Sequence, residues 1–178
     1  MIKVYQTIID KGHGNCMQAV VASLLELPLE EVPNFIEIKE GSWFLTMEHM
    51  FDDRGYDLCT IGRGGNTDTE MLKKIAKLDG GVNGFLYASV PSMTFEGCGH
   101  AVIVDTDLNI VHDPNPNQLA LQLTADDIDS IMVYHDMRIG KTGKCFTLEQ
   151  WDNLSIEEKD TNTYKTVYDK DGKVIGSI

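Results

Sequence analysis

Residues 12–26 read GHGNCMQAVVASLLE, a glycine-rich turn that delivers Cys16 to the start of an apolar segment. From Cys16 onward Val20, Leu24 and Leu27 recur at helical spacing, with Ala19 and Ala22 beside them. That period predicts a helix with one buried face and with Cys16 in its first turn. The first N–H groups of a helix have no intrahelical acceptor, and the positive end of the dipole lies there, so a thiol held at that point is biased toward thiolate. A free cysteine titrates near about 8.5, and a helix N-terminus or an adjacent imidazolium lowers this by one to several units. Asn15 suits the N-cap by residue type, which would give its side-chain oxygen a structural task. The Cys16 amide, at the helix start, is placed to donate to an oxyanion.

A thiolate nucleophile needs a base, and the candidate lies in residues 98–116, CGHAVIVDTDLNIVHDPNP. Residues 101–104 and 109–111 are β-rich runs separated by Asp105, Thr106, Asp107 and Leu108, which predicts a hairpin. A two-residue turn centred on Thr106 and Asp107 sets His100 directly across from Asp113, and Val102 across from Val111. Opposed residues on neighbouring strands hold their Cβ atoms about 4.5 to 5.5 Å apart, so Asp113 can accept from one imidazole nitrogen while the other faces Cys16. This is the nucleophile, base and orienting-acid arrangement of covalent acyl transfer. On the same register Asp105 and His112 point to the opposite face, which favours Asp113 as the acid and makes His112 structural.

These residues resemble the papain-like superfamily of cysteine peptidases: a glycine-preceded Cys opening an apolar helix, then Gly-His before an apolar run, then Asp-Pro after the next strand. The nearest branch is the bacteriocin-processing C39 peptidases. The run GNCMQAVVASLLELPLEEVPNF is also similar to small phage and bacterial proteins assigned to that superfamily. The resemblance covers residues 4–36 and 97–116. It implies an α+β, papain-like fold in which an N-terminal helix bearing Cys16 packs against an antiparallel β-sheet bearing His100 and Asp113, with a cleft between them. It further implies that Asn115 is the alternative orienting residue, since an Asn can hold an imidazole as an Asp can. The C39 pattern places an oxyanion-donating glutamine a few residues before its cysteine, where this chain has Asp10. Gln6 and Gln18 are therefore the side chains to test as the second donor.

A chain of 178 residues suits one domain. Residues 1–140 are expected to carry the papain-like part, and residues 141–178 to add a C-terminal helix and β-hairpin to the same domain. The formal charge of −13, from 28 acidic and 15 basic residues, argues against a nucleic-acid or anionic-membrane surface. A basic peptide or protein substrate is the better electrostatic match. Four cysteines without a CxxC indicate neither a zinc ribbon nor a disulfide scaffold, and no metal or other cofactor is expected. Reduced thiols, with no signal-peptide pattern and no long apolar run, predict a cytoplasmic protein, in the host cytoplasm if the source is a phage.

The remaining segments read mainly as scaffold. Residues 2–9, IKVYQTII, predict a strand, and His13 an exposed loop histidine. Pro28 closes the first helix, and a short second turn follows at residues 30–32. Residues 42–55 predict a helix whose Trp43, Met47, Met50 and Phe51 are core, with Trp43 able to wall a cleft. Strands are expected at 56–61 and, centrally in the sheet, at 84–90. A helix at 69–78 is expected to be capped by Thr67 or Asp68. The loops 62–69 and 91–99 are the expected determinants of specificity. Neither RGGN at 63–66 nor GKTGK at 140–144 completes a phosphate-binding motif. Cys98 and His100 form a C-x-H pair without visible further ligands, and the acidic residues 126–129 lack calcium-loop spacing. Residues 119–123 predict a strand, 125–130 an acidic helical turn, 131–137 a strand, 147–158 a helix and 164–178 a hairpin turning at Asp171–Gly172.

The expected function is that of a cysteine-nucleophile hydrolase, a peptidase or amidase, acting on an amide or isopeptide bond through an acyl-enzyme. Two alternatives remain: a catalytically inactive protein-binding module of the same fold, and an acyl or amide transferase.

Overall fold

Ten residues after the glycine turn form α1 (Cys16–Leu25), and residues 19–24 are all buried, including Ser23. The sequence predicts one buried face; the helix is covered on more sides than that because residues 1–10 lie along it. Val4 N–H donates to Ser23 Oγ at 2.9 Å, and Ser23 Oγ donates to the Ala19 carbonyl at 2.7 Å, so a polar side chain inside the core is fully used. The computed structural model describes every residue except 39–41, 65–66, 136, 140–143, 164–165, 169–173 and 178.

The chain is α+β. After α1, α2 (Trp43–Asp52) buries Met47 and Phe51, with Trp43 and Met50 half-buried. A short edge strand, β1 (Cys59–Gly62), precedes α3 (Thr69–Asp79). Asp68 caps α3 by accepting from Met71 N–H at 2.9 Å, and Gly80 ends it at a φ of +76°. Next come β2 (Phe85–Pro91), β3 (Gly99–Asp105), β4 (Ile110–His112) and β5 (Ser130–Val133). All strand pairs are antiparallel, in the order β1-β5-β2-β3-β4. The apolar run of β2 is central in this sheet, as its composition predicts. α1 packs against β3 and β2, and its side chains merge with those of α2, α3 and the sheet into one core.

Several expectations are corrected. Residues 2–9 form no strand. Their N–H groups are taken elsewhere: Val4 by Ser23, Gln6 by the Pro114 carbonyl at 2.9 Å, and Thr7 and Ile8 by Asn15 Oδ1 at 3.0 and 2.9 Å. Asn15 is therefore occupied with the preceding coil and does not cap α1 with its side chain. Residues 119–123 are a 3-10 turn (Leu119–Gln122) instead of a strand. The helix expected at 147–158 divides into α4 (Leu148–Asp152), with a Thr147–Gln150 capping box, and α5 (Ile156–Asn162), with a Ser155–Glu158 box.

The β3–β4 register also differs. Leu108 N–H donates to the Asp105 carbonyl and Asp105 N–H to the Asn109 carbonyl, both at 3.0 Å, while Leu108 adopts a φ of +65°. The loop thus holds three residues, a β-turn followed by a left-handed position, instead of two. Together with an irregularity between Ile103 and Val104, this pairs Ile103 with His112 and leaves His100 opposite Val90 of β2.

Beyond the sheet, β6 (Met137–Ile139) pairs with β7 (Cys145–Thr147), and Cys145 Sγ meets Met71 Sδ of α3 at 3.1 Å. The predicted C-terminal hairpin is present as β8 (Thr166–Tyr168) against β9 (Val174–Ser177), and its turn at Asp171–Gly172 lies outside the described residues. Most of GKTGK also lies outside them. Among the described residues no helix is long and apolar enough to cross a membrane.

Candidate active site

Cys16 occupies the first residue of α1, and His100 the second of β3; because α1 packs on β3, the two side chains meet. Asp113 follows β4 directly and is only 1% exposed. Its carboxylate closes a turn on itself: Oδ1 accepts from Asn115 N–H and Oδ2 from Ala120 N–H, each at 2.8 Å. Oδ1 also accepts from His100 Nε2 at 2.7 Å. With Nε2 engaged, Nδ1 is the imidazole nitrogen left for Cys16. The structure thus brings Cys16, His100 and Asp113 together even though His100 and Asp113 are not strand partners.

The electrostatics of the three groups interlock. Burial raises the Cys16 pKa, but the hydrogen bond from His100, the Ala101 N–H, the positive ring and the Met17 N–H outweigh it and hold the thiol below its ordinary value. Burial lowers the His100 pKa, but the bonds to Asp113 and Cys16 and their negative charges prevail and push it up to about 9. Asp113 is also raised by burial, and the His100 bond with the Ala120 and Asn115 amides brings it net below the usual carboxylate range. Each group favours the charged form of its neighbour, which biases the site toward a thiolate–imidazolium pair oriented by a carboxylate.

The other sequence candidates fall into two groups. Gln6 is 6% exposed and lines the same cavity as Cys16. Its Nε2 donates weakly to the Ile8 carbonyl at 3.4 Å, which leaves a second N–H, and its Oε1 is buried without a partner. Gln18 does not reach the cleft with a spare donor: both N–H groups serve α1's neighbours, on the Leu29 and Val32 carbonyls at 2.9 and 2.6 Å. Asn115 lines the cleft, but its side chain contacts Thr94 and the Asn117 N–H, so the contact with His100 belongs to Asp113. Asp105 holds the turn, accepting from Asp107 N–H and Asn109 N–H, and His112 is buried with Nε2 on the Val4 carbonyl at 2.8 Å.

A cleft runs to both sides of Cys16 and His100. One hollow, of about 280 Å³, is lined by Gln6, Asp10, Ser92, Thr94, Phe95 and Cys98 among others. The other, of about 520 Å³, is apolar and includes Met17, Phe35, Ile38, Trp43, Tyr87 and Met132. The loop 91–99 borders the cleft as expected. The described part of 62–69 does not: Arg63 ties it to the Ala125 and Ile128 carbonyls, and Thr69 to Asp126. Sequence reading misses the apolar wall from Phe35 and Ile38, whose short 3-10 turn (Phe35–Glu37) has no helical period to betray it. Among the described residues no group of three or more His, Cys, Asp or Glu side chains is gathered as a metal site requires.

Comparison with protein-family models, with curated proteins and with solved structures finds no match to this chain.

Proposed function

We propose that this chain is a papain-like, cysteine-nucleophile hydrolase that cleaves an amide or isopeptide bond through an acyl-enzyme. The observation that supports it most is the row of Cys16, His100 and Asp113, with the imidazole bonded to the buried carboxylate at 2.7 Å and its other nitrogen turned to the sulfur. In this reading the Cys16 thiolate attacks the carbonyl carbon, and the carbonyl π-pair moves to oxygen. The Cys16 N–H and the spare Gln6 N–H receive that oxyanion. The His100 imidazolium gives its Nδ1 proton to the leaving nitrogen as the carbon–nitrogen bond breaks. Neutral His100 then takes a proton from water, whose oxygen displaces the sulfur and regenerates the thiolate. Asp113 fixes the ring and stabilises its charged form throughout.

The cleft supports a peptide-like substrate with an apolar side chain on the Trp43 side. Among the described residues no lysine or arginine lines either hollow, and Asp10 lines one of them, which fits a neutral or basic substrate better than an acidic one. An amine acceptor in place of water would turn the same cycle into acyl transfer. The test is labelling with a peptide-like electrophile followed by mapping of the modified residue. Labelling confined to Cys16 and lost in H100A supports the proposal; unselective labelling of exposed cysteines, indifferent to His100, refutes it.

A further inference from the structure

Cys98 shares the smaller hollow with Cys16, and the mechanism above gives it no task. It lies two residues before His100, and the Ser92 N–H donating to the Cys98 carbonyl at 2.9 Å continues the β2–β3 ladder outward to it. Cys98 immediately precedes β3, and it lines the same hollow as both His100 and Cys16. The other two cysteines are elsewhere: Cys59 is exposed on the edge strand and Cys145 is packed against Met71. The joining segment contains Gly97, at a φ of +75° and with open space where a Cβ would stand, so the backbone beside Cys98 is conformationally permissive.

We infer that Cys98 is a resolving thiol, which captures oxidised Cys16 in a Cys16–Cys98 disulfide and so converts the site into a reversible peroxide-sensitive one. The inference rests on the reading of Cys16 as a thiolate. In the first step the Cys16 sulfur attacks one oxygen of hydrogen peroxide, the O–O bond breaks, and the departing hydroxide takes a proton from His100 to leave as water. Sulfur is oxidised by two electrons to the sulfenic acid and the peroxide is reduced. In the second step the Cys98 sulfur, losing its proton, attacks the Cys16 sulfur; the S–O bond breaks and a second water leaves. A dithiol reductant restores both thiols by exchange. The bridge ties up the nucleophile and spares it from irreversible oxidation.

The experiment uses the full-length reduced protein, whose Cys16 alkylation rate with iodoacetamide is measured first. Hydrogen peroxide is then added in molar excess, enough to supply the two equivalents that a sulfinic acid requires, and the protein is mapped by mass spectrometry without reductant, both as wild type and as the C59S/C145S variant. The expected product has two hydrogens fewer, carries a Cys16–Cys98 link, alkylates at Cys16 at least about tenfold more slowly, and recovers fully with dithiothreitol. C98S should instead gain two oxygens at Cys16 and fail to recover. A wild type that also stops at the sulfinic acid, or a bridge that joins Cys59, Cys145 or two molecules, overturns the inference. The wild-type map decides this even if a variant does not fold. Fast initial alkylation without a bridge defeats this inference alone, whereas slow initial alkylation defeats the hydrolase reading.

Discussion

His100 and Asp113 meet at 2.7 Å although neither is the other's strand partner: His100 pairs with Val90, and Asp113 stands in the turn beyond β4. The contact depends on that turn. Asp113 is held by two backbone amides before it receives the imidazole, so its position does not rely on His100. A prepositioned acid of this kind fixes which ring nitrogen faces the sulfur.

Removing the acid's charge while keeping its shape isolates that role. D113N turns an NH2 donor toward one of the two backbone amides, so it should lose about 10²- to 10⁴-fold in turnover and about 1–3 kcal/mol in stability, whereas D113A strands both the Ala120 and Asn115 amides and should cost about 1–3 kcal/mol for each. Activity against a labelled peptide and chemical denaturation of both variants check the pair of expectations.

The two glutamines should separate cleanly. Q6A should lower hydrolysis by about 10²-fold or more through loss of an oxyanion donor, yet leave iodoacetamide alkylation of Cys16 nearly unchanged, since alkylation forms no oxyanion. Q18A should do the reverse of this in kind: it leaves the Leu29 and Val32 carbonyls without their donor and should lower stability by about 1–3 kcal/mol. Equal catalytic losses in the two variants would contradict the site as described.

The pH dependence follows from the directions of the shifts. His100 has a folded pKa raised to about 9 from an ordinary 6.5, so its contribution to stability is complete below the unfolded value and fades as pH rises through about 9. Asp113 is shifted downward, so its contribution is present above the ordinary carboxylate value and is lost as pH falls through the folded one. Turnover should form a bell whose alkaline limb lies near pH 9. Thermal unfolding from pH 4 to 10 in wild type and H100A tests the first statement: the alkaline loss should shrink in the variant.

The buried serine of α1 offers a test of the fold. S23A removes the acceptor for the Val4 N–H and should destabilise by about 1–3 kcal/mol. Hydrogen exchange at Val4 should accelerate more than exchange in β2, because the Val4 N–H is held by one side chain instead of by a sheet.

Local signals made much of this fold readable. The glycine turn and apolar period located the start of α1 at Cys16's turn, Thr67 or Asp68 was legible as the cap of α3 and the structure selects Asp68, and the continuous apolar run marked β2 as central. What escaped was set by distant groups. IKVYQTII has strand composition, but Asn15 and Ser23 take its donors, and no local pattern shows that. The β3–β4 register turned on Leu108 entering the left-handed region, where a leucine is not expected, and on the irregularity between Ile103 and Val104. Gln6 and Gln18 look alike in sequence; only the carbonyls of Leu29 and Val32 engage one, and the coil beside Pro114 brings the other to the cleft. Cys16, His100 and Asp113 were legible as residue types in their local contexts, whereas the route by which they meet was not.

The most direct measurement is the rate of iodoacetamide alkylation at Cys16 as a function of pH, site-mapped, in wild type and H100A. Wild type should hold its full rate well below pH 8, and H100A should be slower there, with its titration moved up toward about 8.5, the value of a free thiol. A wild-type titration already at that ordinary position, and unchanged in H100A, would contradict the thiolate–imidazolium pair and the hydrolase built on it.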